Sequence, residues 1–356
     1  MTQIYSVFVS NAADGEIGAY RLDAASGTLA PETCYRAGAN VMPLAWSPDG
    51  ATLYAATRGE PPGIVTFAFD AEAGTLTRLH AAPIESNLAY LSADASGRYL
   101  LGASYGEHRA SLYDATRIAQ GGGATLQFAD GIEHAHSAVS SRDGRHMYVA
   151  SLGADTIHCF DLRDGALHAL DVVPVEGKFG PRHMRFSPDE ATLYVVSEFR
   201  ATVAAFALDP HTGKLGAMKL SEPAPALSHL KPGRARPSFA SGKRNDPAEL
   251  ATLIWGADIQ VTPDGRFVYV SERTSSRLIA FRVQDDGALA YAGFTDTETQ
   301  PRGFRIDVTG RFLAACGEKS THVSAYSIDA ETGALTLLSR CEGGKGGNWV
   351  EIVARA

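Results

Sequence analysis

The residues best placed for chemistry stand at the two ends of one predicted hairpin. Arg182 and His183 begin its first strand, and Glu198 ends its second. The turn between them is Ser-Pro-Asp-Glu, in which Pro presets φ and Asp bonds its own backbone. Because the start of one antiparallel strand lies beside the end of the next, the three side chains should meet. A guanidinium, an imidazole and a carboxylate together could bind an anion, stabilise an oxyanion and transfer a proton.

The same hairpin recurs along the whole chain, which indicates internal repeats. Its turn follows an inner strand at residues 47–50, 94–97, 141–144, 187–190, 262–265 and 307–310. A second mark, Gly-x-Leu or once Gly-Ala-Thr-Leu, occurs seven times, at Gly27, Gly74, Gly123, Gly165, Gly213, Gly287 and Gly333. Short alternating runs between the marks are typical of strands. Units of about 45 residues with four antiparallel strands each predict an all-β fold, a seven-bladed β-propeller.

The two ends of the chain are expected to close this ring. Residues 348–353 have the pattern of an inner strand with no outer strands after it, and residues 5–10 that of a second strand with no inner strand before it. Pairing the C-terminal inner strand with the N-terminal strands completes one blade and leaves no free edge. The repeats therefore predict a single domain over residues 1–356.

One interval between the glycine marks is longer than the others. From Gly213 to Gly287 it spans 74 residues, against 42 to 49 elsewhere, which indicates an insertion within residues 222–253. Its Pro-Ala-Pro-Ala and Lys-Pro-Gly pieces are typical of a loop, and Ala248-Glu-Leu-Ala-Thr could form one helical turn. Loops of this length are usually functional or disordered. The insertion is thus either a lid over the mouth of the propeller or a mobile surface loop.

Counting eight residues from the last turn residue of each repeat defines two rings at one end of the central channel. Counting backwards to the starts of the inner strands gives Met42, Ala89, His136, Arg182, Ala257, Arg302 and, by analogy, Asn348. Counting forwards to the ends of the second strands gives Arg58, Tyr105, Leu152, Glu198, Arg273, Glu318 and, by analogy, Asn11. Buried charge without a partner is costly. The mouth is therefore either a self-neutralising network or a site for an anion.

Each of these side chains also has a purely structural interpretation. Arg182 and Glu198 could form a structural ion pair, and Arg273 a surface pair with the glutamate before it. His136 could hydrogen-bond a neighbouring blade. His134, two residues earlier, could join His136 in binding a metal, but no carboxylate set completes such a site. We therefore expect no metal and no cofactor, and the G-x-S-x-G, P-loop and H-E-x-x-H motifs are absent from the sequence.

Composition argues against several classes of partner. The chain has 356 residues and a net charge of −8, whereas duplex nucleic acid requires a basic surface. No apolar run approaches the ~20 residues that span a membrane, and the N-terminus lacks the regions of a signal peptide. The four cysteines have no metal-binding spacing and fit the free thiols of a cytosolic protein. We expect a cytoplasmic protein, monomeric or homodimeric, that acts on a small anionic molecule.

Five longer motifs resemble those of a known family. They are Gly180-Pro-Arg-His-Met184, Trp255-Gly-Ala-Asp258, Glu272-Arg-Thr274, Thr297-Glu-Thr-Gln-Pro-Arg-Gly-Phe304 and Gly317-Glu-Lys-Ser320. They are similar to motifs of the seven-bladed propeller lactonases, which include bacterial 6-phosphogluconolactonases and fungal 3-carboxy-cis,cis-muconate lactonizing enzymes. The resemblance covers essentially the whole chain and is densest from residue 180 to residue 350. The resemblance implies a lactonase that hydrolyses a sugar-acid lactone, with 6-phosphogluconolactone as the leading substrate.

The resemblance also implies an active-site set of a histidine, an arginine, a glutamate and a second arginine. By motif these are His136, Arg182, Glu198 and Arg273, all already on the two rings. His136 or Glu198 would be the general base, and the two arginines would stabilise the oxyanion. The residues expected to bind the substrate, through its phosphate or carboxylate or by hydrogen bonds, are Arg302, His183, Arg58 and Asp258. The alternatives are a muconate-type cycloisomerase, a hydrolase of a non-phosphorylated aldonolactone, and a non-catalytic scaffold.

Overall fold

Twenty-eight strands form seven four-stranded antiparallel sheets in the computed structural model, which describes residues 3–236 and 246–356. The first fourteen strands are β1 (Ile4–Asn11), β2 (Glu16–Asp23), β3 (Leu29–Arg36), β4 (Leu44–Trp46), β5 (Thr52–Thr57), β6 (Gly63–Asp70), β7 (Thr75–Pro83), β8 (Tyr90–Ala93), β9 (Tyr99–Ser104), β10 (Arg109–Asp114), β11 (Thr125–Asp130), β12 (Ala135–Ser140), β13 (His146–Ser151) and β14 (Thr156–Arg163). The other fourteen are β15 (Ala166–Pro174), β16 (Pro181–Phe186), β17 (Thr192–Ser197), β18 (Val203–Leu208), β19 (Leu215–Leu220), β20 (Gly256–Val261), β21 (Phe267–Glu272), β22 (Arg277–Val283), β23 (Leu289–Asp296), β24 (Pro301–Ile306), β25 (Phe312–Gly317), β26 (His322–Ile328), β27 (Leu335–Glu342) and β28 (Gly347–Ala354).

Each sheet is one blade, and the predicted seven-bladed propeller is confirmed. Six blades use four consecutive strands, starting from β4, β8, β12, β16, β20 and β24. The seventh has the order β28-β1-β2-β3, so the C-terminal inner strand pairs with the N-terminal strands as predicted. Its register runs from Tyr5 opposite Ala354 to Asn11 opposite Gly347.

In the turn at residues 187–190 the Asp bonds nearby backbone, as predicted, because the Asp189 carboxylate accepts from the Ala191 N–H at 3.1 Å. In the hairpin of β16 and β17, the Ser187 hydroxyl donates to Asp189 at 2.6 Å, and the Thr192 N–H donates to the Ser187 hydroxyl at 3.0 Å. Glu190 occupies the left-handed region, with φ 56°, where most copies of the turn have glycine. These bonds hold the inner and second strands in register, so that the opposite ends of both strands meet at the mouth.

The Gly-x-Leu glycines join neighbouring blades. Gly213 has φ 67°, and its carbonyl accepts a hydrogen bond of 2.9 Å from the Tyr148 hydroxyl of the preceding blade. Gly333 repeats the arrangement with φ 73° and a bond of 2.7 Å from Tyr269. A Cβ on Gly213 would lie 2.3 Å from the ring of His146. The mark therefore needs glycine both for its backbone conformation and for close contact between blades.

Two short α-helices and one 3₁₀ turn interrupt the described strands. They are α1 (Ala115–Ala119), α2 (Pro247–Leu250) and the 3₁₀ turn Pro225–Leu227. Within residues 3–236 and 246–356, no helix has the length and apolar character needed to cross a bilayer.

The predicted insertion lies between β19 and β20 and includes α2, which confirms the predicted helical turn. The Asp246 carboxylate caps α2 by accepting the Ala248 N–H at 2.9 Å. The described parts of the insertion are anchored to the propeller, because the Gly233 N–H donates to the Phe199 carbonyl at 2.8 Å. Residues 237–245, which include part of the segment expected to act as a lid or a mobile loop, lie outside the described residues.

Candidate active site

Five inner strands carry a β-bulge at the mouth of the channel, and in β28 the extra residue is Asn348, between Gly347 and Trp349. In β12, β16, β20 and β24 the register shifts after Ala135, Pro181, Gly256 and Pro301 respectively, and the inner strand gains one residue over its partner. The bulged segments contain His136, Arg182 with His183, Asp258, and Arg302. Bulges redirect side chains and are common beside active sites. They explain how consecutive residues such as Arg182 and His183 can both contribute to the channel.

A carboxylate clamped by two guanidinium groups lies at the centre of the mouth. Glu198 Oε2 accepts from Arg182 Nε at 2.9 Å, and Glu198 Oε1 lies 3.0 Å from Arg273 Nη2. All three side chains are buried. Burial alone would raise the pKa of Glu198, but Arg273 and Arg182 hold it below its usual value. The carboxylate is therefore ionised and already bonded, so it is a poor proton acceptor.

One nitrogen of the Arg182 guanidinium has no acceptor among the described residues. Its Nη1 donates to the Ala257 carbonyl and its Nε to Glu198, whereas its Nη2 is buried without a partner in the described part of the chain. Burial and the charge of Arg302 lower the pKa of Arg182 to about 9, so the group remains charged at neutral pH. A buried donor without an acceptor costs free energy, which a bound oxygen atom would recover.

His183 and Asp258 form a hydrogen-bonded pair beside this guanidinium. His183 Nδ1 lies 2.8 Å from Asp258 Oδ1, and the carboxylate also accepts from the Ile259 N–H at 2.9 Å and from Gln260 Nε2 at 3.3 Å. His183 Nε2 is buried without a partner among the residues described. Burial and Arg182 lower the pKa of His183 to about 3, although Asp258 opposes the shift. The imidazole is therefore neutral.

His136 approaches His183 from the neighbouring blade. The ring centroids are 5.4 Å apart, and His136 Nδ1 is buried with no partner among residues 3–236 and 246–356. Burial, followed by the charge of Arg182, lowers the pKa of His136 well below its usual value, so this imidazole is neutral too. His134 precedes β12 and stacks on Tyr105 at 4.1 Å. In the described residues no cluster of three histidine, cysteine, aspartate or glutamate side chains could hold a metal ion.

Aromatic rings form the floor below the two histidines. The centroids of Tyr90 and Trp349 lie 5.0 and 5.6 Å from that of His183. Deeper in the channel, Arg185 donates to the Tyr90 hydroxyl. Together with its other neighbours, these rings leave the His183 side chain buried.

Two further arginines stand at the rim. Arg302 Nη1 lies 3.1 Å from Glu318 Oε1, as expected for residues of the same hairpin. Arg58 donates through Nε and Nη2 to the Leu88 carbonyl at 3.3 and 3.2 Å, and burial and Arg302 lower its pKa to about 10. Because the Leu88 carbonyl is uncharged, these two hydrogen bonds do not neutralise Arg58, and the rim retains positive charge.

The family is decided by a comparison with known proteins. The model of the family described as "Lactonase, 7-bladed beta-propeller" matches residues 5–352. The chain belongs to the seven-bladed lactonase family. It is 36% identical over 357 residues to a 6-phosphogluconolactonase of Serratia proteamaculans, covering 98% of this chain and 99% of that protein. It is 35% identical to a 6-phosphogluconolactonase of Cronobacter sakazakii, covering 98% of each chain.

Solved structures share the lactonase fold with lower sequence identity. A periplasmic gluconolactonase of Pseudomonas aeruginosa superimposes with a TM-score of 0.83 at 24% identity, over 99% of this chain and 100% of that one. A protein from Lactobacillus plantarum gives a TM-score of 0.80 at 23% identity, over 99% and 100% of the two chains. At this identity the likeness supports the fold alone.

The structure brings together the four residues that the family resemblance implies. Arg182, Glu198 and Arg273 are in direct contact, and His136 lies beside His183 on the adjacent inner strand. Of the residues expected to bind substrate, Arg302 and Arg58 stand at the rim and His183 lies in the channel. Asp258 lies behind His183 and is hydrogen-bonded to its imidazole. The Asp258 carboxylate therefore does not face the open mouth.

Arg236 is a mouth residue that the lactonase repeats could not predict, because it belongs to the insertion. Its Cζ lies 4.5 Å from the centroid of the Trp255 ring, and its carbonyl accepts from the Tyr105 hydroxyl at 3.2 Å. Its Nε is buried without a partner among the described residues. Burial and Arg273 lower the pKa of Arg236, whereas Glu198 opposes the shift. The only available signal was its place in a basic Arg-Ala-Arg segment of a long loop.

Proposed function

We propose that the protein hydrolyses 6-phosphogluconolactone to 6-phosphogluconate. The observation that carries the proposal is the fully buried Arg182 guanidinium, whose Nη2 has no partner in the described chain and lies among neutral imidazoles. Hydrolysis of a lactone needs such a donor for the oxyanion and such a base for the water. The full-length 6-phosphogluconolactonase relatives, at 36 and 35% identity, support the choice of lactone.

The charge of the mouth favours an anionic substrate. Five arginines, Arg58, Arg182, Arg236, Arg273 and Arg302, stand against three carboxylates, Glu107, Glu198 and Glu318. The excess is two positive charges, in a chain whose net charge is −8. A phosphate monoester carries about −1.5 to −2 charges at neutral pH, which matches this excess. The mouth can therefore neutralise a sugar phosphate without a metal ion.

We assign phosphate binding to the rim and the reaction to the deeper residues. Arg236, Arg302 and Arg58 would bind the phosphate, since guanidinium groups match phosphate oxygens in geometry and charge. Arg182 Nη2, with Arg273, would bind the carbonyl oxygen as it becomes negative. Glu198 would hold these two arginines in place, which is the role that its two ion pairs support.

The proton acceptor would be a neutral imidazole at the mouth, because Glu198 is ionised and bonded on both oxygens. A histidine can take a proton from water as it attacks the carbonyl carbon. It can then return that proton to the ring oxygen as the carbon–oxygen bond of the lactone breaks. A charged mouth of this kind disfavours the alternative of a non-catalytic scaffold, for which an uncharged or blocked mouth is expected.

We further propose that the protein works in the cytoplasm. Its four cysteines are all free, as expected in a reducing compartment. A phosphorylated substrate also does not cross membranes unaided. The prediction of a monomer or homodimer, without nucleic-acid or membrane partners, stays a prediction.

A lactone panel tests the function. 6-Phosphogluconolactone, generated in place from glucose 6-phosphate, would be compared with gluconolactone and with a muconate-type lactone by continuous titration of the acid released. We expect kcat/KM to be highest for the phosphorylated lactone, because only this substrate reaches both the rim and the deeper residues. Equal turnover of gluconolactone would remove the phosphate from the proposal. Turnover of the muconate lactone alone would replace hydrolysis with cycloisomerisation.

A further inference from the structure

We infer that His183, oriented by Asp258, is the general base of the lactonase reaction, and that His183 Nε2 is the atom that takes the proton from water. This inference rests on the proposed function and deepens it. His183 and Asp258 were expected to bind the substrate, and the inference gives them these roles instead. It also assigns the general base to His183 and not to His136 or Glu198.

The first step of the argument is the tautomer of His183. Its Nδ1 lies 2.8 Å from Asp258 Oδ1, and an ionised carboxylate can only accept a hydrogen bond. Burial would raise the pKa of Asp258, but the hydrogen bonds from His183 and the Ile259 N–H, with the charge of Arg185, lower it to about 2, so the carboxylate is ionised. The proton of the neutral imidazole is therefore on Nδ1, and Nε2 carries the free lone pair. This is the form that a general base needs.

The second step is that the pair is held rigidly. Asp258 Oδ1 also accepts from the Ile259 N–H at 2.9 Å, and Oδ2 accepts from Gln260 Nε2 at 3.3 Å and from the Phe304 N–H at 3.4 Å. The imidazole and three other residues thus supply four donors in all, and these fix the carboxylate. A base oriented in turn by a third group is the recurring arrangement in hydrolytic sites.

The third step is that Nε2 has no hydrogen-bond partner in the described part of the chain, so its lone pair is free for a reacting molecule. It is buried and unpartnered among the described residues, as is Nη2 of Arg182, the residue that precedes it in the chain. The two residues are consecutive on β16 and share its bulge. Water activated at Nε2 would therefore lie beside a carbonyl whose oxygen faces Arg182. The rings of Tyr90 and Trp349 pack against the same imidazole.

The competing candidates lack one of these features. Glu198 has both oxygens bonded to arginines. No carboxylate in the described residues is hydrogen-bonded to the His136 ring, and its Nδ1 has no partner there, so no acidic group orients it as Asp258 orients His183. The groups that face the His183 imidazole are Asp258 from β20, Arg182 and Arg185 from its own strand, His136 from β12 and Tyr90 from β8.

The reaction balances without any other reactant. Nε2 takes one proton from water while the water oxygen bonds to the carbonyl carbon, and the carbonyl π electrons move to the oxygen held by Arg182. When those electrons return, the bond from the carbon to the ring oxygen breaks. The ring oxygen receives the proton from Nε2, and the product is the open hydroxy acid. Burial and, after it, the charges of Arg182 and Arg185 lower the pKa of His183. An anionic phosphate at the rim would offset the effect of these charges, so the bound substrate itself would strengthen the base.

The main test is His183→Asn, because the Asn amide nitrogen can take the place of Nδ1 and still donate to Asp258 while Nε2 is lost. We expect kcat to fall by ~10²–10⁴-fold, the usual contribution of a general base. Binding of 6-phosphogluconate, measured by calorimetry, should be nearly unchanged. Asp258→Asn should also lower kcat without weakening product binding, because an amide can donate to Nδ1 and favour the wrong tautomer.

The matched control is His146→Asn. His146 is a second buried histidine paired with an aspartate, 3.1 Å from Asp161, but it lines a separate cavity of about 280 Å³ at the opposite end of the propeller. This variant should keep wild-type kcat and KM. His136→Asn, compared in parallel, should lose less kcat than His183→Asn.

Several results would overturn the inference. His183→Asn with near-normal kcat but weaker product binding would make His183 a substrate-binding residue, and a larger loss in His136→Asn would move the base to His136. NMR of isotope-labelled histidine tests the wild-type protein directly, and the signal missing from His183→Asn identifies the residue. A proton on Nε2, or an imidazolium at neutral pH, would exclude the proposed base even if the variants do not fold. A wild-type protein that hydrolyses no lactone on the panel would overturn the proposed function, and this assignment with it.

Discussion

Replacing Glu198 by glutamine tests the clamp at the centre of the mouth. The change keeps the shape of the side chain but leaves two buried guanidinium groups, Arg182 and Arg273, without their counter-ion. Breaking a buried ion pair by removing one partner costs ~3–5 kcal/mol of unfolding free energy. With an unfolding entropy of about 2.1 cal/mol/K per residue, the 356 residues give about 0.75 kcal/mol/K. The melting temperature of Glu198→Gln should therefore fall by about 4–7 °C.

Differential scanning calorimetry of three proteins measures this effect. The control is Glu318→Gln, whose partner Arg302 lies 3.1 Å away but whose side chain is 27% exposed. An ion pair of that kind contributes about 0–1 kcal/mol, so Tm should fall by no more than about 1.3 °C. Inorganic phosphate should raise the Tm of Glu198→Gln more than that of the wild type, because it supplies the missing negative charge.

The activity of Glu198→Gln shows whether Glu198 holds the two arginines in place or acts as the general base. The glutamine oxygen can still accept from one guanidinium, so we expect kcat of Glu198→Gln to fall by less than ~10²-fold, below the range for loss of a general base. A variant with wild-type Tm and a much larger loss of kcat would refute the reasoning. Glu198 would then be the proton acceptor, and its two ion pairs would contribute little to stability.

Four other outcomes are expected. Arg236→Ala should raise KM for 6-phosphogluconolactone and leave KM for gluconolactone unchanged, because only the phosphate reaches that guanidinium; equal effects on both lactones would contradict its role. Stability measured by urea unfolding should decrease as pH falls below about 6.5, since His136 and His183 take up protons in the unfolded state and not in the native one, by up to about 2.7 kcal/mol per pH unit for two groups. A flat profile between about pH 7 and pH 5 would show that these histidines are not buried in their neutral form. Dialysis against a chelator should leave turnover unchanged, because arginines supply the positive charge; loss of activity that zinc restores would make His134 and His136 metal ligands. Deleting β28 (Gly347–Ala354) should abolish the cooperative melting transition, because one blade loses its inner strand, and a variant that still melts cooperatively would disprove closure by this pairing.

Most of the fold and part of the site could be predicted because the repeats carry their own register. The turn after each inner strand fixes the number of residues between the turn and the mouth. Counting this number along both strands correctly placed Arg182, Glu198 and Arg273 together. The seven Gly-x-Leu marks predicted seven blades, since each signal depends on residues close in sequence. Signals of this kind lie within short segments and are repeated along the chain, so they can be recognised without any knowledge of tertiary contacts.

The pairing of His183 with Asp258 could not be predicted in this way. Counting along a strand assumes that side chains alternate, but the bulges in β16 and β20 each add a residue and change which side chains face the channel. The two residues lie on different blades, 75 positions apart in the chain. Arg236 was missed for a related reason, because an insertion has no copy elsewhere in the repeats to supply its register.

The closing strand pair also imposes a delay on the newly made chain. Asn11 pairs with Gly347, so the ribosome must add 336 residues before the partner of β1 exists. At about 5–20 residues per second, this takes about 17–67 s. During that time β1, with seven of its eight residues buried in the finished protein, exposes an unpaired edge and an apolar surface. The yield of folded protein in the cell should therefore depend on how well chaperones cover this strand until translation is complete.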